Sequence, residues 1–233
     1  MIPTQAQSFS MLLVAIAPFL TAFVAPLVKR FVPQHAGWVL ALIPASIFIY
    51  LFSFIDLISQ GEKLRFALPW IPMLGVELSF YLDGLSLVFG LLISGIGTFI
   101  VVYSGGYLSG HPHLGRFFAF ILMFMGSMLG LVLADNVITL FVFWELTSIT
   151  SFLLIGFDHS RQASRRAAIQ ALVITGGGGL LLLAGLILMV FTTGAINISE
   201  MGHLGETATY LPVFILVLFG AITKSAQVPF HFW

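Results

Sequence analysis

The sequence lacks cysteine and is poor in charge. The absence of cysteine from 233 residues excludes a disulfide framework, thiolate chemistry and cysteine-bound zinc or iron–sulfur clusters. Only 8% of the residues are charged, against roughly 25% in soluble domains, so too few charges are present to cover a water-exposed surface. The net charge is zero, which gives no basic field for nucleic acid. We find no nucleotide loop, nucleophile triad or metal cluster, and we expect no cofactor, no metal and no self-contained enzyme.

Hydrophobic residues make up 59% of the chain and predict an all-α integral membrane protein. A spanning helix needs about 20 mostly apolar residues. Seven segments satisfy this requirement, and we expect residues 1–233 to form a single transmembrane domain. The predicted spans are 8–28, 37–58, 82–106, 114–134, 136–157, 167–192 and 210–233.

The first apolar segment is interpreted as a retained helix rather than a secretory signal. No Lys or Arg precedes it, and its first cations, Lys29 and Arg30, follow it. A signal peptide has a basic start and a small-residue cleavage site. Residues 22–25 resemble such a site only faintly, and Pro26 follows directly.

A longer connection, Gln60 to Tyr81, separates the second and third spans. Residues 64–68 and 76–81 predict two short strands around Pro69, Pro72 and Gly75, and apolar and polar residues alternate in the second strand. This pattern favours a small β-hairpin on the membrane surface; the alternative is a plain loop.

The distribution of cations predicts the orientation of the spans. Cytoplasmic loops collect Lys and Arg. The connections after spans 1, 3 and 5 share one side and carry six cations, whereas the opposite connections carry only Lys63 and Arg65. We therefore expect an extracellular N-terminus. The six cations are Lys29, Arg30, Arg116, Arg161, Arg165 and Arg166.

Glu145 is an ionisable residue predicted at membrane depth, in the fifth span. It lies roughly 14 Å from the start of that helix, close to the midplane. Ser148 follows at i+3, with Thr147 and Ser151 on adjoining faces, so the helix carries a polar stripe. A charge at depth is costly and commonly functional. The alternative is a neutral, hydrogen-bonded glutamate that fixes helix packing.

Lys224 is the second deep ionisable residue, roughly 20 Å into the seventh span. Pro229 follows at i+5. A proline has no N–H to donate and its ring clashes with the carbonyl four residues earlier, so a broken seventh helix is expected. Freed carbonyls at membrane depth are tolerated beside protein or a wet cavity. A lysine there suits a proton or ion station; the alternative is a lysine that snorkels to the interface. The two deep residues together form a candidate acid–base switch.

Other polar and small residues have structural interpretations. Asp83 is expected to cap the third helix and Asp135-Asn136 the fifth. The run Gly176–Gly179 fits close helix packing, with an unwound functional stretch as the alternative. His231 follows the predicted break and is a possible proton relay, since histidine titrates near neutrality. His111 and His113 alone make a poor metal site.

Four stretches of sequence resemble a known family. They are residues 81–86 (YLDGLS), 123–136 (MFMGSMLGLVLADN), 143–156 (FWELTSITSFLLIG) and 223–233 (TKSAQVPFHFW). They are similar to the antiporter-like subunits of respiratory complex I and of Mrp-type sodium/proton antiporters. The form Trp144-Glu-Leu-Thr-Ser148 resembles more closely the large A subunits of the Mrp group.

This resemblance implies that Glu145 and Lys224 work as a proton-relay pair. It also implies an extracellular N-terminus, a hairpin after the second helix and a cell-membrane location. Family members continue well beyond the seventh helix, so we expect an N-terminal fragment of a longer subunit.

The expected function is that of a subunit of a multi-subunit Na⁺/H⁺ antiporter, a secondary transporter rather than an enzyme. Its expected partners are other membrane subunits, the lipid bilayer, Na⁺ and H⁺, and no nucleic acid. One alternative is a proton-translocating membrane subunit of a respiratory NADH–quinone oxidoreductase or related hydrogenase complex. Another is a structural membrane module that conducts nothing.

Overall fold

The computed structural model describes residues 5–74, 76–202, 204–205 and 207–233, and these residues are mostly helical. Within them, six helical segments are long and apolar enough to cross a membrane, and α8 is a shorter apolar helix. The prediction of an all-α membrane protein is therefore confirmed. The helices are α1 (Gln5–Phe31), α2 (Ala36–Phe52), α3 (Ile55–Ser59), α4 (Gly84–Tyr107), α5 (Leu114–Leu133), α6 (Val137–Ile155), α7 (Gln162–Thr193) and α8 (Tyr210–Lys224).

Two of the predicted spans differ in detail from the observed helices. The second is divided into α2 and α3 at Ser53, whose hydroxyl donates a hydrogen bond of 2.6 Å to the carbonyl of Tyr50. Such back-bonding competes with the regular helical pattern. The seventh is helical only up to Lys224, and residues 225–233 form turns, so the predicted break in this helix is confirmed.

The predicted β-hairpin is present between α3 and α4. Strands β1 (Leu64–Ile71) and β2 (Val76–Leu82) pair in a two-stranded sheet, and a short 3-10 helix follows β1. Gly75, which the sequence places in the turn, lies outside the described residues. Ser79 is a polar residue of β2 that is fully buried, so burial along this strand does not follow the alternation of polar and apolar residues.

Side chains cap α4 and α6. The carboxylate of Asp83 accepts a hydrogen bond from the N–H of Ser86 at the start of α4, as predicted. Asn136 caps α6 by accepting from the N–H of Ile138 at 2.9 Å. Asp135 does not cap this helix; its carboxylate accepts from both the N–H and the hydroxyl of Ser199, each at 2.8 Å.

The helices pack in two compact units. The first holds the described residues of Met1–Ala67 together with Ser79–Leu133; in it α1 packs against α2 and α5, and α4 against α2 and α5. The second holds Leu68–Leu78 and the described residues of Ala134–Trp233. In the second unit α7 packs against both α6 and α8, which brings the two deep ionisable residues into one unit. A single domain over residues 1–233 stays a prediction.

The core of the second unit lies between α6 and α7. Val137, Leu182 and Leu186 are buried there, with Trp144 and Val217 packed against them. Helix α7 is continuous through Gly176–Gly179, so the unwound interpretation of this run is wrong and the packing interpretation is confirmed. Two of these glycines, Gly178 and Gly179, let neighbouring helices approach the backbone of α7 closely.

Candidate functional site

The candidate site begins with one polar turn of α6, residues 144–148. Glu145 is the ninth of the 19 residues of α6, which places it next to the middle of the helix. Thr147 and Ser148 are buried in the same turn. The hydroxyl of Thr147 donates a hydrogen bond of 2.7 Å to the carbonyl of Trp144, so the Thr147 side chain as well as Lys224 binds this carbonyl.

Lys224 reaches this turn from the end of α8. Its ammonium donates one hydrogen bond to the hydroxyl of Ser148 at 2.7 Å and another to the carbonyl of Trp144 at 3.2 Å. The same nitrogen lies 5.2 Å from the centroid of the Trp144 ring, within the range of a cation–π interaction. The ammonium is therefore held by three neutral groups of α6.

In the sequence Glu145 lies between Trp144 and Ser148, the two residues that bind Lys224. Glu145 itself does not bind the lysine. No ion pair within 4.0 Å joins their charged groups in the part of the chain that the structure describes. The Oε1 atom of Glu145 is buried and has no hydrogen-bond donor among the described residues. A buried polar atom without a partner is costly, and such atoms concentrate at functional sites.

Two glycines of α7 set the distance between the helices. A Cβ placed on Gly179 would overlap Oε1 of Glu145, and one placed on Gly178 would lie 2.6 Å from Cβ of Thr223. Gly220 of α8 faces α7 with equally little room, since a Cβ there would lie 2.7 Å from Cβ of Leu182. Glu145 and the end of α8 thus both touch the backbone of α7 at adjacent residues.

The break after Lys224 leaves carbonyl groups that need donors in an apolar environment. The indole N–H of Trp233 donates to the carbonyl of Thr223 at 2.8 Å. The side-chain amide of Gln170 in α7 donates to the carbonyl of Phe232 at 2.8 Å. These two bonds attach residues 225–233 to α7 and α8 and fix the broken end of the helix that carries Lys224.

The other candidates from the sequence belong to other elements of the chain. His231 is exposed, and its ring lies edge-on to that of Phe232; among the described residues it makes no hydrogen bond to Lys224. A relay role for His231 stays a prediction. His111 and His113 lie in the connection between α4 and α5. Asp83 is occupied as a helix cap.

Two residues of the site were not identified from the sequence. Trp144 supplies both a carbonyl and a ring to Lys224, and Gly179 adjoins the carboxyl of Glu145. Trp144 follows an apolar run, and an indole there is equally suitable for contact with lipid, for packing in the core or for a functional site. Gly179 belongs to a run of four glycines that gives no indication of which one faces α6.

A second polar cluster fastens the start of α6 to the segment before α8. Asn136 and Asn197 form an isolated β-bridge, and their side chains are joined at 3.4 Å. Asn197 also donates to Glu200 at 3.2 Å, next to the bonds between Asp135 and Ser199. Asp135, Asn136 and Asn197 are all buried, so this cluster is a structural link within the second unit.

Comparisons with known proteins match most of the chain. Residues 134–233 match the family described as "NADH:quinone oxidoreductase/Mrp antiporter, TM". Residues 70–118 match the family described as "NADH-Ubiquinone oxidoreductase (complex I), chain 5 N-terminus". Together the two matches cover well over half of the chain and include both Glu145 and Lys224.

Individual proteins agree with these families. The chain is 45% identical over 223 residues to the Na⁺/H⁺ antiporter subunit A1 of Staphylococcus aureus, a match that covers 94% of this chain and 28% of that protein. It is 36% identical to a chain of the Mrp complex from Dietzia sp. DQ12-45-1b, with a TM-score of 0.85, covering 95% of this chain and 24% of that one.

A third comparison shows the fold alone. A chain of the membrane-bound sulfane sulfur reductase, an archaeal respiratory membrane complex, is 20% identical with a TM-score of 0.78 over 95% of this chain and 46% of its own. In every case the chain spans less than half of the relative. Over most of its length the chain is similar to membrane subunits of NADH:quinone oxidoreductases and Mrp antiporters, and it resembles the N-terminal part of the Mrp A subunit.

Proposed function

We propose that the chain is the N-terminal part of the A subunit of a multi-subunit Na⁺/H⁺ antiporter, in which Glu145 and Lys224 form a proton-relay pair. The observation that carries the proposal is the binding of the Lys224 ammonium on the turn of α6 that also bears Glu145. The 45% identity to a Na⁺/H⁺ antiporter subunit supports the choice of transported ions.

The pair acts through charge. Two unit charges 4 Å apart interact by about 4 kcal/mol at an effective dielectric of 20, and the interaction falls with distance. A lysine that approaches or leaves Glu145 therefore changes the cost of charging the carboxyl. Glu145 takes up a proton when the ammonium is distant and releases it when the ammonium is near. Because of this coupling between Lys224 and Glu145, the movement of a charge elsewhere in the complex can drive a proton through the site on α6.

The working environment follows from the same proposal. The protein acts in the cell membrane with other membrane subunits of a hetero-oligomeric complex, and it exchanges Na⁺ for H⁺. Its cation-rich connections face the cytoplasm and its N-terminus the outside, as the six cations against two predict.

The test uses the complete complex in inverted membrane vesicles, with proton movement followed by a pH-sensitive dye after addition of Na⁺. We expect Glu145→Gln and Lys224→Ala to abolish the Na⁺-induced signal. The matched controls are Glu62→Gln and Lys63→Ala, because both residues are exposed and lie in the connection before β1. Wild-type rates in both site variants, at normal levels of assembled complex, would refute the relay pair.

A second candidate function is that of a proton-translocating membrane subunit of a respiratory NADH–quinone oxidoreductase or related hydrogenase complex. It is favoured by the family descriptions, both of which name the NADH-dependent oxidoreductases. Proton movement that needs an electron donor and ignores a Na⁺ gradient would support it. Tolerance of charge removal at both Glu145 and Lys224 would instead favour a structural module.

A further inference from the structure

Lys224 is bound by groups of Trp144 and Ser148, whereas the residue with which it is expected to pair is Glu145. The ammonium has three N–H donors, and two of them are directed to neutral oxygens, the carbonyl of Trp144 and the hydroxyl of Ser148. The Trp144 ring adds a third neutral contact at 5.2 Å. Hydrogen bonds to a charged donor are about twice as strong as neutral ones, so these contacts hold the ammonium although no ion pair within 4.0 Å joins it to Glu145 among the described residues.

Around the axis of α6, Ser148 lies between Trp144 and Glu145, the two residues that Lys224 can approach. At 3.6 residues per turn, Glu145 points about 100° around the helix axis from Trp144. Ser148 is one turn further on and points about 40° from Trp144, between Trp144 and Glu145 in direction. A hydroxyl there can accept a hydrogen bond from an ammonium on either side of it.

The lysine side chain is long enough to use both sides. Its ammonium is a compact charge on a flexible four-carbon stem, so rotation of the side chain moves the charge by several ångströms without moving the helix. In the structure the ammonium lies on the Trp144 side, and Glu145 is not ion-paired among the described residues.

We propose that Trp144 and Ser148 form a neutral dock for the Lys224 ammonium, and that the lysine moves between this dock and the carboxylate of Glu145. Trp144 and Ser148 are positioning residues, since they act through Lys224. The inference rests on the proposed relay function of Glu145 and Lys224. The dock keeps the lysine charged and near α6 while Glu145 exchanges its proton, and release from the dock closes the ion pair.

The first test removes one hydroxyl from the assembled complex. Ser148→Ala deletes the 2.7 Å acceptor, and we expect Na⁺-driven proton transport in vesicles to fall about tenfold, as for loss of a hydrogen bond to a charge. Ser148→Thr restores the hydroxyl and should restore most of the rate. Thr150→Val is the matched control, because Thr150 is buried on α6 and its hydroxyl bonds to the carbonyl of Leu146 instead of the lysine.

The second test changes the ring without changing its shape. Tryptophan analogues with one, two and three ring fluorines, placed at residue 144 by nonsense suppression, weaken the cation–π attraction stepwise. We expect the transport rate to fall with each fluorine. A role in packing alone would leave the rate unchanged along the series, because the ring keeps its size.

The two tests judge the two residues separately. Wild-type rates for Ser148→Ala remove Ser148 from the dock, and a flat fluorine series removes the Trp144 ring. Both results together overturn the proposal. If Lys224→Ala still abolishes transport in that case, the dock has failed and the relay has not; if Lys224→Ala transports normally, the proposed function itself has failed.

Discussion

Gly179 and Glu145 are in direct contact across two helices: a Cβ added to the glycine would overlap Oε1 of the glutamate and lie 3.1 Å from its Cδ. The absence of a side chain at residue 179 therefore fixes where the carboxyl of Glu145 can lie.

Gly179→Ala should displace the carboxyl of Glu145 and lower Na⁺-driven proton transport at least tenfold, because a misplacement of about 1 Å at a reacting group can cost a hundredfold. Gly177→Ala is the control, since nothing lies within 4 Å of a Cβ at that position. Equal rates in the two variants would show that the contact does not position Glu145. The measurement is the dye assay on vesicles with matched amounts of complex.

Gly178→Ala should destabilise the packing of α7 on α8. The added methyl group would lie 2.6 Å from Cβ of Thr223, and overpacking costs about 1–3 kcal/mol. Gly176→Ala has open space and should be neutral or stabilise the helix by about 0.5–1 kcal/mol. The temperature at which the detergent-solubilised complex loses its assembly distinguishes them; a common midpoint for both variants would contradict the prediction.

Asp135 and Ser199 should be energetically coupled. The carboxylate accepts two hydrogen bonds from this serine, and each single change, Asp135→Asn or Ser199→Ala, should cost about 1–3 kcal/mol of stability. The double variant should cost less than the sum, by about 0.5–3 kcal/mol. The free energy of unfolding of the wild type, the two single variants and the double variant is measured from the loss of helical circular dichroism in increasing SDS. Strict additivity would show that the two side chains stabilise the unit independently.

The orientation can be tested by labelling of single cysteines. The chain has no cysteine of its own, and Gln60 and Ser109 are exposed in connections on opposite sides of the predicted membrane. In a subunit without other cysteines, Gln60→Cys should react with an impermeant maleimide in intact cells, and Ser109→Cys only after permeabilisation. The reversed pattern would place the N-terminus inside.

Much of the fold could be predicted from the sequence, because the apolar runs are long and the caps are local. Asp83 lies three residues before Ser86, and both partners of that cap are visible in the sequence. The end of α8 was harder to place, since Pro229 indicates a break only approximately. Ala226 adopts a left-handed conformation with φ of 52°, and this local turn stops the helix earlier than the proline requires.

The candidate site was predictable only in part. Glu145 and Lys224 are conspicuous because charge is rare at membrane depth. Trp144 and Gly179 are not, because their roles arise from the approach of α7 and α8 to α6. A single sequence records which residues are small or aromatic, but which of them meet depends on how the helices are rotated about their axes.

The early end of α8 also has an electrostatic consequence. The aligned peptide dipoles of a helix place about half a negative charge at its C-terminus. Lys224 is the last residue of α8, so its positive charge emerges where this partial negative charge is concentrated. Continuing the helix by a further turn would move the negative end about 5 Å away and lose about 0.3–1 kcal/mol of that attraction. The break is thus itself a source of field that helps to keep a positive charge within an apolar bundle.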